Sequence, residues 1–361
     1  MLRLGLLGLG RAARQAMRAL SAIDGIELSA VADVRQEALN EFAGRGISCF
    51  LNAAELVASP NVDIVWIATP SNLHCEHVLA AAAAGKHVIC EKPMAISRSE
   101  CQQMDAAAKA ANTRLLMVSK IFDPPILAMR AIIDTGELGS IKNINMSVYT
   151  DWLARPRIAQ ELDPAQGGGV VFRQAPHMVD IARYLAGSPV SKIFGHVQAG
   201  EIHAPTPGLF NALLAFSNGA SASLSFNGSG VFDSAELTWN IGETGRERMN
   251  AIQRSPRVVS AEEKANAVAE DVAQEQLNLP FYGLTMVACS TGFMRQSRNG
   301  IIIYGPGDRR EISIIPRERC VGELLEMRDA INKNLPVFPD AEWGSKTMEI
   351  CLQIAQSRTS F

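Results

Sequence analysis

Aromatic residues are few in this sequence and its net charge is small. The small net charge excludes proteins that bind a polyanion through their overall charge. Aromatic residues make up 6% of the 361 residues, charged residues make up 20%, and the formal net charge at pH 7 is −3. Proteins that bind nucleic acid or an anionic membrane through their overall charge carry a clear excess of lysine and arginine. We therefore expect neither as a partner, and any basic site has to be local.

Long apolar runs and closely spaced cysteines are missing as well. Charged residues, glycine and proline interrupt the apolar stretches well short of the roughly 18 residues that a membrane span needs. The seven cysteines are scattered and include no CxxC pair, the spacing typical of zinc sites. The expectation is a cytoplasmic protein with reduced thiols and without a metal centre.

The periodicity of the sequence changes near residue 120. Before that point, short apolar runs such as "LRLGLLG" and "VDIVWIATP" alternate with amphipathic stretches such as "RAARQAMRALSAI". Regular alternation of this kind is typical of parallel strands joined by crossover helices. Residues 1–122 are therefore predicted to form a doubly wound Rossmann domain that binds a dinucleotide.

Residues 123–361 are predicted to form a second, α+β domain. A helix is expected over about 126–135, followed by apolar runs separated mainly by turns: "IKNINMSVYTDW", "SKIFGHVQAGEI", "FNALLAFSNG", "ASASLSFNGSG" and "AELTWNIGETG". These runs predict a large, open, mostly antiparallel sheet, and the fold class overall is α/β. A last helix over about 340–358 packs within this domain or back on the first.

Two further expectations concern the second domain. An open sheet has to cover its outer face, which favours a homodimer or homotetramer formed through this sheet. Residues 261–278 are polar and rich in alanine, so they are predicted to form a mobile excursion. Whether residues 255–280 close over the site is an open question at this point.

A glycine-rich turn follows the first apolar run. "LGLLGLGRAARQAMRAL" places Gly8, Gly10 and Ala13 at the head of an amphipathic helix, in the pattern G-x-G-x-x-G/A. Gly8 permits a tight turn, Gly10 lets the backbone approach a pyrophosphate, and Ala13 allows close packing of helix and strand. Arg11 and Ala12 belong to the same predicted phosphate site, where the helix amino terminus offers amides and a partial positive charge.

Asp33 ends the second apolar run, in "LSAVADVR". A carboxylate at this place accepts hydrogen bonds from the adenosine ribose hydroxyls and repels a 2′-phosphate. This favours NAD over NADP as the cofactor. Arg35 lies two residues further on and weakens that preference.

Two later loops carry further candidates. In "ATPSNLH", the residues Thr69, Pro70 and Asn72 follow the fourth predicted strand and are expected to line the nicotinamide side of the dinucleotide. His74 either joins them or packs on the helix that follows.

Glu91 and Lys92 follow the fifth predicted strand, in "GKHVICEKPMA". A lysine in a partly desolvated cleft has its pKa lowered toward neutrality and then donates or accepts a proton. The alternative for this motif is an ordinary surface Lys-Pro pair.

Taken in order, the glycine turn, "ATPSNLH", "EKP" at 91–93 and "GGG…H..D" at 167–180 resemble the family of NAD(P)-dependent oxidoreductases that includes glucose-fructose oxidoreductase and inositol dehydrogenase. The resemblance covers essentially the whole chain. It implies a Rossmann domain followed by a domain with an open sheet. It also implies that Lys92 and His177 flank the carbon that exchanges hydride, with His177 as the base and Lys92 polarising the oxygen.

Arg173 departs from the pattern of this family, whose dehydrogenases commonly have an aspartate four residues before the histidine. An arginine does not act as a base at accessible pH, but it can bind a carboxylate through two parallel hydrogen bonds. This points to an acidic substrate. Asp180, three residues beyond His177, orients the imidazole, bonds the substrate or belongs to a local network.

A second basic segment supports an anionic substrate. "YTDWLARPR" brings Arg155 and Arg157 together with Trp152, a set that can bind a ring bearing carboxylates through paired hydrogen bonds and stacking. The alternative is a solvated or subunit-bridging loop.

With "VFDSAEL", these segments resemble the branch of the family that contains the dihydroxyphthalate, or phthalate cis-dihydrodiol, dehydrogenases. The resemblance implies oxidation of a cyclic diol that bears carboxylates, with reduction of NAD. Lys120 and Ile121 in "MVSKIFDPP" depart from the pattern of that branch, which leaves the ring substituents open. Two other functions are weighed: a sugar, inositol or sugar-acid dehydrogenase, and a non-catalytic NAD(P)-binding sensor on the same fold.

Overall fold

The computed structural model describes residues 1–199, 206–230, 232–248, 258–260, 263 and 277–357. The chain forms two compact units, of which the first contains Met1–Ser119 and Glu318–Glu349 and the second contains Lys120–Arg317 and Ile350–Phe361. Most of the excursion predicted over 261–278, and of the segment 255–280, lies outside the described residues.

The first unit is built on a six-stranded parallel sheet with the strand order β3-β2-β1-β4-β5-β6. Its elements are β1 (Leu2–Leu7), α1 (Arg11–Leu20), β2 (Ile26–Ala32), α2 (Gln36–Asn40), β3 (Ser48–Phe50), α3 (Ala53–Ala58), β4 (Ile64–Ile67), α4 (His74–Ala83), β5 (His87–Cys90), α5 (Arg98–Ala110) and β6 (Leu115–Met117), with a 3₁₀ turn at Ser71–Leu73. The predicted Rossmann fold is confirmed.

Burial explains why these short runs become strands of a parallel sheet. All four residues of β4 are buried, as expected for a strand that is covered by helices on both faces. The helices between the strands have their own start signals. Asn52 accepts a hydrogen bond from the Glu55 amide at the start of α3, and Ser97 accepts one from the Glu100 amide at the start of α5.

Two late helices change the predicted domain boundary. The prediction assigned residues 123–361 to the second domain, whereas Glu318–Glu349 belongs to the first unit. This segment contains α9 (Val321–Lys333) and the start of α10 (Ala341–Gln356). Leu324 and Met327 of α9 are fully buried in the same apolar cluster as Leu4 of β1. The apolar face of α9 therefore completes the core of the first unit.

The second unit is built on an eight-stranded sheet with the order β14-β13-β12-β11-β7-β10-β9-β8. Its elements are α6 (Pro124–Thr135), β7 (Ile141–Tyr149), α7 (Ala159–Leu162), α8 (Gly169–Ala186), β8 (Val190–Ala199), β9 (Pro207–Phe216), β10 (Ser221–Asn227), β11 (Leu284–Cys289), β12 (Phe293–Ser297), β13 (Gly300–Tyr304) and β14 (Arg309–Ser313), with 3₁₀ turns at Lys120–Phe122, Pro164–Gln166 and Ser234–Thr238. All described strand pairs are antiparallel except β7 with β10.

The predicted mostly antiparallel sheet is thus confirmed, but one predicted strand is wrong. The run "AELTWNIGETG" contains the 3₁₀ turn Ser234–Thr238 instead of a strand. The Asp233 side chain accepts a hydrogen bond from the Ala235 amide, and such a cap favours a helical turn over an extended chain.

One face of the eight-stranded sheet packs on α8, and the other face is open as far as the described residues show. Buried side chains alternate along β10, as expected for a sheet with one covered face. The open face carries a row of paired residues across four strands, namely Phe194, Leu213, Ser223 and Asn145. Phe194 is 61% exposed and Leu213 is 42% exposed. The homo-oligomer expected through this sheet stays a prediction.

Within the described part of the chain, every helix is too short or too polar to span a membrane. All seven cysteines are free thiols.

Candidate active site

The loops that carry the dinucleotide motifs follow the carboxyl ends of neighbouring strands in the first unit. The strands β2, β1, β4 and β5 lie side by side and parallel. Because the carboxyl ends of parallel strands meet at one edge, residues 8–10, Asp33, residues 69–72 and residues 91–92 lie along that edge. This is the edge at which open α/β sheets bind their ligands.

The glycine turn between β1 and α1 has the geometry that a pyrophosphate site needs. Gly8 adopts φ +87°, and a Cβ atom added there would lie 2.9 Å from the Ala68 carbonyl oxygen. A Cβ atom added at Gly10 would meet no heavy atom within 4 Å, so the backbone is open to a ligand at this point. These residues fit a dinucleotide phosphate. The first turn of α1 consists of exposed Arg11, half-buried Ala12 and buried Ala13.

Asp33 follows β2, and its carboxylate is held by four hydrogen bonds. Oδ2 accepts from the Leu9 amide at 2.8 Å and from NH2 of Arg35 at 2.9 Å. Oδ1 accepts from the Arg35 amide at 3.0 Å and from its Nε at 2.9 Å. Burial alone would raise the pKa of this carboxyl, but the hydrogen bonds from Arg35 and Leu9 outweigh it and hold the pKa below its usual range.

The loop after β4 is tied to the loop after β5 through a buried imidazole. The ring nitrogens of His74 lie 3.0 Å from the Thr69 carbonyl oxygen and 2.9 Å from the Pro93 carbonyl oxygen. Thr69 Oγ1 also bonds the ring of His77 at 3.0 Å. His74 is 1% exposed, so the structure favours the packing alternative for it. The exposed residues of this loop are Pro70 and Asn72.

Glu91 and Lys92 are half-buried directly after β5. Burial raises the pKa of the Glu91 carboxyl, against the opposing effects of the positive charges of Lys92 and Arg319. Lys92 therefore lies at the predicted edge of the sheet, beside an acidic group.

In the second unit, α8 carries Arg173, His177 and Asp180. His177 is 4% exposed and Asp180 is 6% exposed, and the spacing of three and four residues places all three side chains on one face of the helix. NH2 of Arg173 donates to Oε1 of Glu161 at 2.9 Å. The guanidinium that was predicted to bind a substrate carboxylate thus binds a carboxylate of the protein itself.

Glu161 is shared between two arginines. It lies on the short helix α7, is 6% exposed, and accepts a hydrogen bond from the Ile158 amide at 3.2 Å through Oε2. NH1 of Arg157 lies 3.8 Å from Oε1. The Arg157 guanidinium stacks 4.1 Å from the ring centroid of Trp152, and its Nε donates to the Trp152 carbonyl at 3.0 Å. Two positive charges and one negative charge leave this group with a net positive charge.

Arg155 belongs to a separate, balanced network of charges. Its Nε donates to Oδ1 of Asp151 at 2.7 Å, and NH2 of Arg248 donates to the same atom at 2.9 Å. NH1 of Arg248 lies 2.7 Å from Oδ2 of Asp233. Two arginines therefore face two aspartates. The structure brings Arg155 to a protein carboxylate, which weakens its predicted role in binding the substrate.

Against the opposing effect of burial, the charges of Arg155 and Arg248 lower the pKa of Asp151 from 3.8 to about 2. Because this pKa is depressed in the folded state, its contribution to stability is present above pH 4 and is lost as the pH falls toward 2. We expect Asp151→Asn to lower the free energy of unfolding by about 2 kcal/mol at pH 7. Urea unfolding at a series of pH values measures this difference, which should shrink between pH 4 and pH 2.

Asp308→Asn, at a side chain that is 54% exposed, is the control for this experiment. It should change the free energy of unfolding by less than about 0.5 kcal/mol at each pH. A difference between Asp151→Asn and the wild type that stays constant down to pH 2 would contradict the assignment.

Sequence reasoning missed Tyr282, which lies beside His177, and gave no role to Lys120, which lies against the Tyr282 ring. The ring of Tyr282 packs edge-on against the imidazole, with 5.1 Å between the ring centroids. Its hydroxyl donates to Gln174, at 2.7 Å from Oε1 and 3.2 Å from the carbonyl oxygen. Lys120 Nζ lies 4.9 Å from the Tyr282 ring centroid, and this lysine is 1% exposed. Burial raises the pKa of Tyr282 well above its usual range.

Glu161 was missed as well, and none of these three residues had a strong signal in the sequence. Lys120 was noted only as a departure from the pattern of the branch. Tyr282 lies in "PFYG", which matches no motif, and is 108 residues from Gln174. The only available signal for Glu161 was an acidic residue within "AQELDP", shortly before the glycines.

Comparison with known protein families matches both units. Residues 2–119 match the model described as "Oxidoreductase family, NAD-binding Rossmann fold", and residues 126–246 match "GFO/IDH/MocA C-terminal domain". The chain belongs to the Gfo/Idh/MocA family of oxidoreductases. Relatives of this chain include dehydrogenases of a carboxylated dihydroxycyclohexadiene and of myo-inositol. This chain is an NAD(P)-dependent dehydrogenase, and its cofactor is NAD.

Proteins similar to this chain include two dehydrogenases and one solved structure. The 1-carboxy-3-chloro-3,4-dihydroxycyclo hexa-1,5-diene dehydrogenase of Comamonas testosteroni is 28% identical, over 98% of this chain and 94% of the relative. The myo-inositol 2-dehydrogenase of Thermotoga maritima is 30% identical, over 54% of this chain and 57% of the relative. A crystal structure described as a dehydrogenase from Bordetella bronchiseptica RB50 is 29% identical with a TM-score of 0.89, and the match covers 99% of this chain and 98% of that one.

Proposed function

We propose that this Gfo/Idh/MocA member oxidises a cyclic diol that bears a carboxylate, of the phthalate dihydrodiol type, and passes the hydride to NAD. The observation that carries the proposal is the net positive group formed by Arg157, Arg173 and Glu161, one helical turn from His177. The name of the Comamonas testosteroni relative, a carboxylated dihydroxycyclohexadiene dehydrogenase, supports the same class of substrate.

The charge of this group favours an anion over a neutral sugar. A single buried carboxylate, Glu161, is 2.9 Å from one guanidinium and 3.8 Å from the other. A carboxylate supplied by the substrate would give the two guanidiniums a further negative partner. Trp152 keeps the Arg157 guanidinium in place by stacking, and a flat aromatic surface also suits a ring-shaped substrate.

The proposed reaction removes one hydride and one proton from the diol. NAD supplies the hydride acceptor. His177 is proposed as the base that takes the hydroxyl proton, because an imidazole is the side chain best suited to proton transfer near neutral pH, and this one is 4% exposed on α8. Lys92 is proposed to hold the hydroxyl oxygen and to stabilise the negative charge that develops on it.

The position of the imidazole is supported by the ring of Tyr282. Tyr282 packs against the ring of His177 and is itself anchored to α8 through Gln174. Because the Tyr282 hydroxyl is committed to Gln174 and its pKa is raised, it acts through its ring and not as a proton carrier. For a cyclohexadiene diol, the product of the reaction is a catechol, and the gain of aromaticity makes the oxidation favourable.

A substrate panel tests this proposal. Purified protein is mixed with NAD and with carboxylated cyclohexadiene cis-diols, the same diols without carboxylates, uronic acids, inositol and hexoses, and NADH is followed at 340 nm. We expect the carboxylated diols to give the highest kcat/KM, by at least about tenfold over the neutral diols.

The other outcomes of the panel identify the alternatives. Turnover of hexoses or inositol without turnover of carboxylated diols would favour a sugar or inositol dehydrogenase. Turnover restricted to uronic acids would favour a sugar-acid dehydrogenase. Tight binding of NAD with no turnover across the whole panel would favour a non-catalytic sensor.

A further inference from the structure

The second unit buries a lysine that takes no part in the proposed proton transfer. Lys120 lies on the 3₁₀ turn Lys120–Phe122 and is 1% exposed. Its Nζ lies 3.6 Å from Oε2 of Glu243 and 3.8 Å from Oδ2 of Asp123, and it donates to the Glu243 carbonyl oxygen at 3.4 Å. Because burying a charge costs free energy even when the charge is paired, this ammonium points to a role beyond packing.

The ammonium lies over the ring of Tyr282, which in turn contacts the imidazole of His177. Nζ is 4.9 Å from the ring centroid of Tyr282. The same centroid is 5.1 Å from that of the imidazole, with 67° between the two ring planes. The face of an aromatic ring is negative and its edge is positive, so a cation is attracted to the face. Lys120 therefore favours one orientation of the ring that His177 contacts.

The hydroxyl of Tyr282 does not fix the plane of its ring. The hydroxyl bonds Oε1 and the carbonyl oxygen of Gln174, but its oxygen lies on the axis about which the ring turns. Rotation about this axis leaves both bonds intact and changes which ring atoms meet the imidazole. The attraction between a cation and the ring face is lost in such a rotation. Lys120 thus supplies a restraint that the hydroxyl bonds do not.

The backbone around the lysine and the tyrosine is held in place by two further hydrogen bonds. NH2 of Arg317 donates to the Phe122 carbonyl oxygen at 2.7 Å, which anchors the 3₁₀ turn that carries the lysine. The Phe281 amide donates to the Gly242 carbonyl oxygen at 3.1 Å. This second bond joins the turn that leads into the glutamate partner of the lysine to the segment that carries Tyr282. The fold therefore keeps the ammonium and the ring together.

We propose that Lys120 is a positioning residue for the base: its ammonium fixes the plane of the Tyr282 ring, and the ring fixes the orientation of the His177 imidazole for proton transfer. In this role Lys120 acts without contact to the substrate. The inference rests on the proposed role of His177. A base that is present but misaligned transfers its proton more slowly, because the reaction depends on the geometry of the reacting groups.

Lys120→Met tests this inference, because methionine is an unbranched side chain without a charge. With the best substrate of the panel, we expect kcat to fall about 10- to 30-fold, since the contact between a buried cation and the ring is lost and the imidazole is displaced. The KM values for carboxylated and for neutral diols should both stay within about threefold of the wild type. Lys120→Arg should lose less of kcat than Lys120→Met, because a guanidinium also binds a ring face.

Variants of Tyr282 show whether the lysine acts through the ring. In the Tyr282→Leu background, Lys120→Met should lower kcat by less than about twofold, because the ring through which the lysine acts is already gone. In the Tyr282→Phe background, which keeps the ring and loses the hydroxyl, Lys120→Met should keep its full effect. If Lys120→Met does not fold, Lys120→Gln replaces it in each comparison, because the amide still donates a hydrogen bond but carries no charge.

Lys86→Met is the control for the loss of a lysine as such. Lys86 belongs to the first unit, and its Nζ donates to the carbonyl oxygens of Ser59 at 2.9 Å and Val62 at 2.8 Å. This variant should lower the melting temperature and leave kcat unchanged. A change of kcat in Lys120→Met that exceeds the change in Lys86→Met is therefore not explained by a general loss of stability.

A second measurement needs no substrate. Diethyl pyrocarbonate carbethoxylates accessible neutral imidazoles, and mass spectrometry of the peptides gives the rate of modification at each histidine. We expect Lys120→Met to raise the rate at His177 at least about threefold, because release of the ring opens the site locally. The rate at His87 should not change.

Three results would overturn the proposal: a kcat of Lys120→Met within about threefold of the wild type, an equal loss of kcat in the Tyr282→Leu background, or a rise of KM restricted to carboxylated diols. If no compound of the panel is turned over, an unchanged rate of modification at His177 overturns it. The proposed function fails in a different way. A wild-type kcat in His177→Asn removes the base itself, whereas a slow His177→Asn with an unaffected Lys120→Met removes only the role of Lys120.

Discussion

Replacement of His177 with asparagine is expected to lower kcat by about 10²–10⁴-fold, the usual contribution of a general base. The imidazole is 4% exposed on α8 and is held against the Tyr282 ring, and an asparagine in its place has no basic nitrogen to take the proton. The affinity for NAD should stay within about twofold of the wild type. Steady-state kinetics with the best substrate of the panel, together with calorimetric titration of NAD, measure both quantities.

His87→Asn is the control for this variant. His87 is a half-buried imidazole that accepts a hydrogen bond from the Arg114 amide at 3.1 Å. It lies at the start of β5, at the opposite edge of that sheet from the dinucleotide loops. Its replacement should leave kcat nearly unchanged. A kcat for His177→Asn within about threefold of the wild type would remove the base assignment.

Lys92→Met tests whether Lys92 and His177 act in the same step. If they act in one proton transfer, the kcat of the double variant should be about as low as that of the slower single variant, because removing either group already removes their joint effect. If the reduction of kcat in the double variant equals the product of the two single reductions, the two side chains act in separate steps.

Replacement of Arg173 with methionine is expected to raise the KM for carboxylated diols by about 10- to 100-fold, with a smaller change in kcat. The expected loss corresponds to about 1.5–3 kcal/mol for hydrogen bonds between charged groups. The KM for the matching diols without a carboxylate should change by less than about threefold. The comparison of the two diol series separates carboxylate binding from a general distortion of α8.

Glu161→Gln distinguishes two roles of the ion pair that Arg173 makes. If Glu161 competes with the substrate for the guanidinium, the neutral glutamine should lower the KM for carboxylated diols, since the negative charge of Glu161 no longer attracts the two arginines. If the pair only holds α7 against α8, Glu161→Gln and Arg173→Met should raise the KM for both diol series alike. That second result would refute the anion site.

The dinucleotide half of the candidate site was predictable because its signals are local. The glycine turn follows β1 within three residues, and Asp33 follows β2 directly. The backbone conformation at Gly8 and the burial of β4 follow from nearby residue types. Nothing distant in the sequence has to be known to place these residues at the carboxyl edge of a parallel sheet.

The partners of the arginines in the second unit were not predictable in the same way. A basic residue shows which ligand it can bind, but not which acidic residue the fold brings to it. Arg155 and Arg248 meet at Asp151 although they are far apart in the chain, and Arg173 meets Glu161 across the turn that connects α7 and α8. These pairings depend on tertiary packing, for which the spacing of residues in one sequence carries little information.

The dependence on tertiary packing also explains why the predicted domain boundary differs from the observed one. The α9 segment has an ordinary amphipathic pattern that fits either unit, and only its packing with the strands and helices of the first unit decides where it belongs.

That packing has a consequence for the synthesis of the protein in the cell. The ribosome produces Leu324 and Met327 only after Lys120–Arg317 of the second unit, yet both residues complete the apolar cluster that contains Leu4. Although amino-terminal domains generally fold first during translation, the nucleotide-binding unit of this chain reaches its final core only after most of the second unit has been made. Until then its nascent apolar surface is available to chaperones, and a message truncated before codon 318 yields a first unit that lacks part of its core.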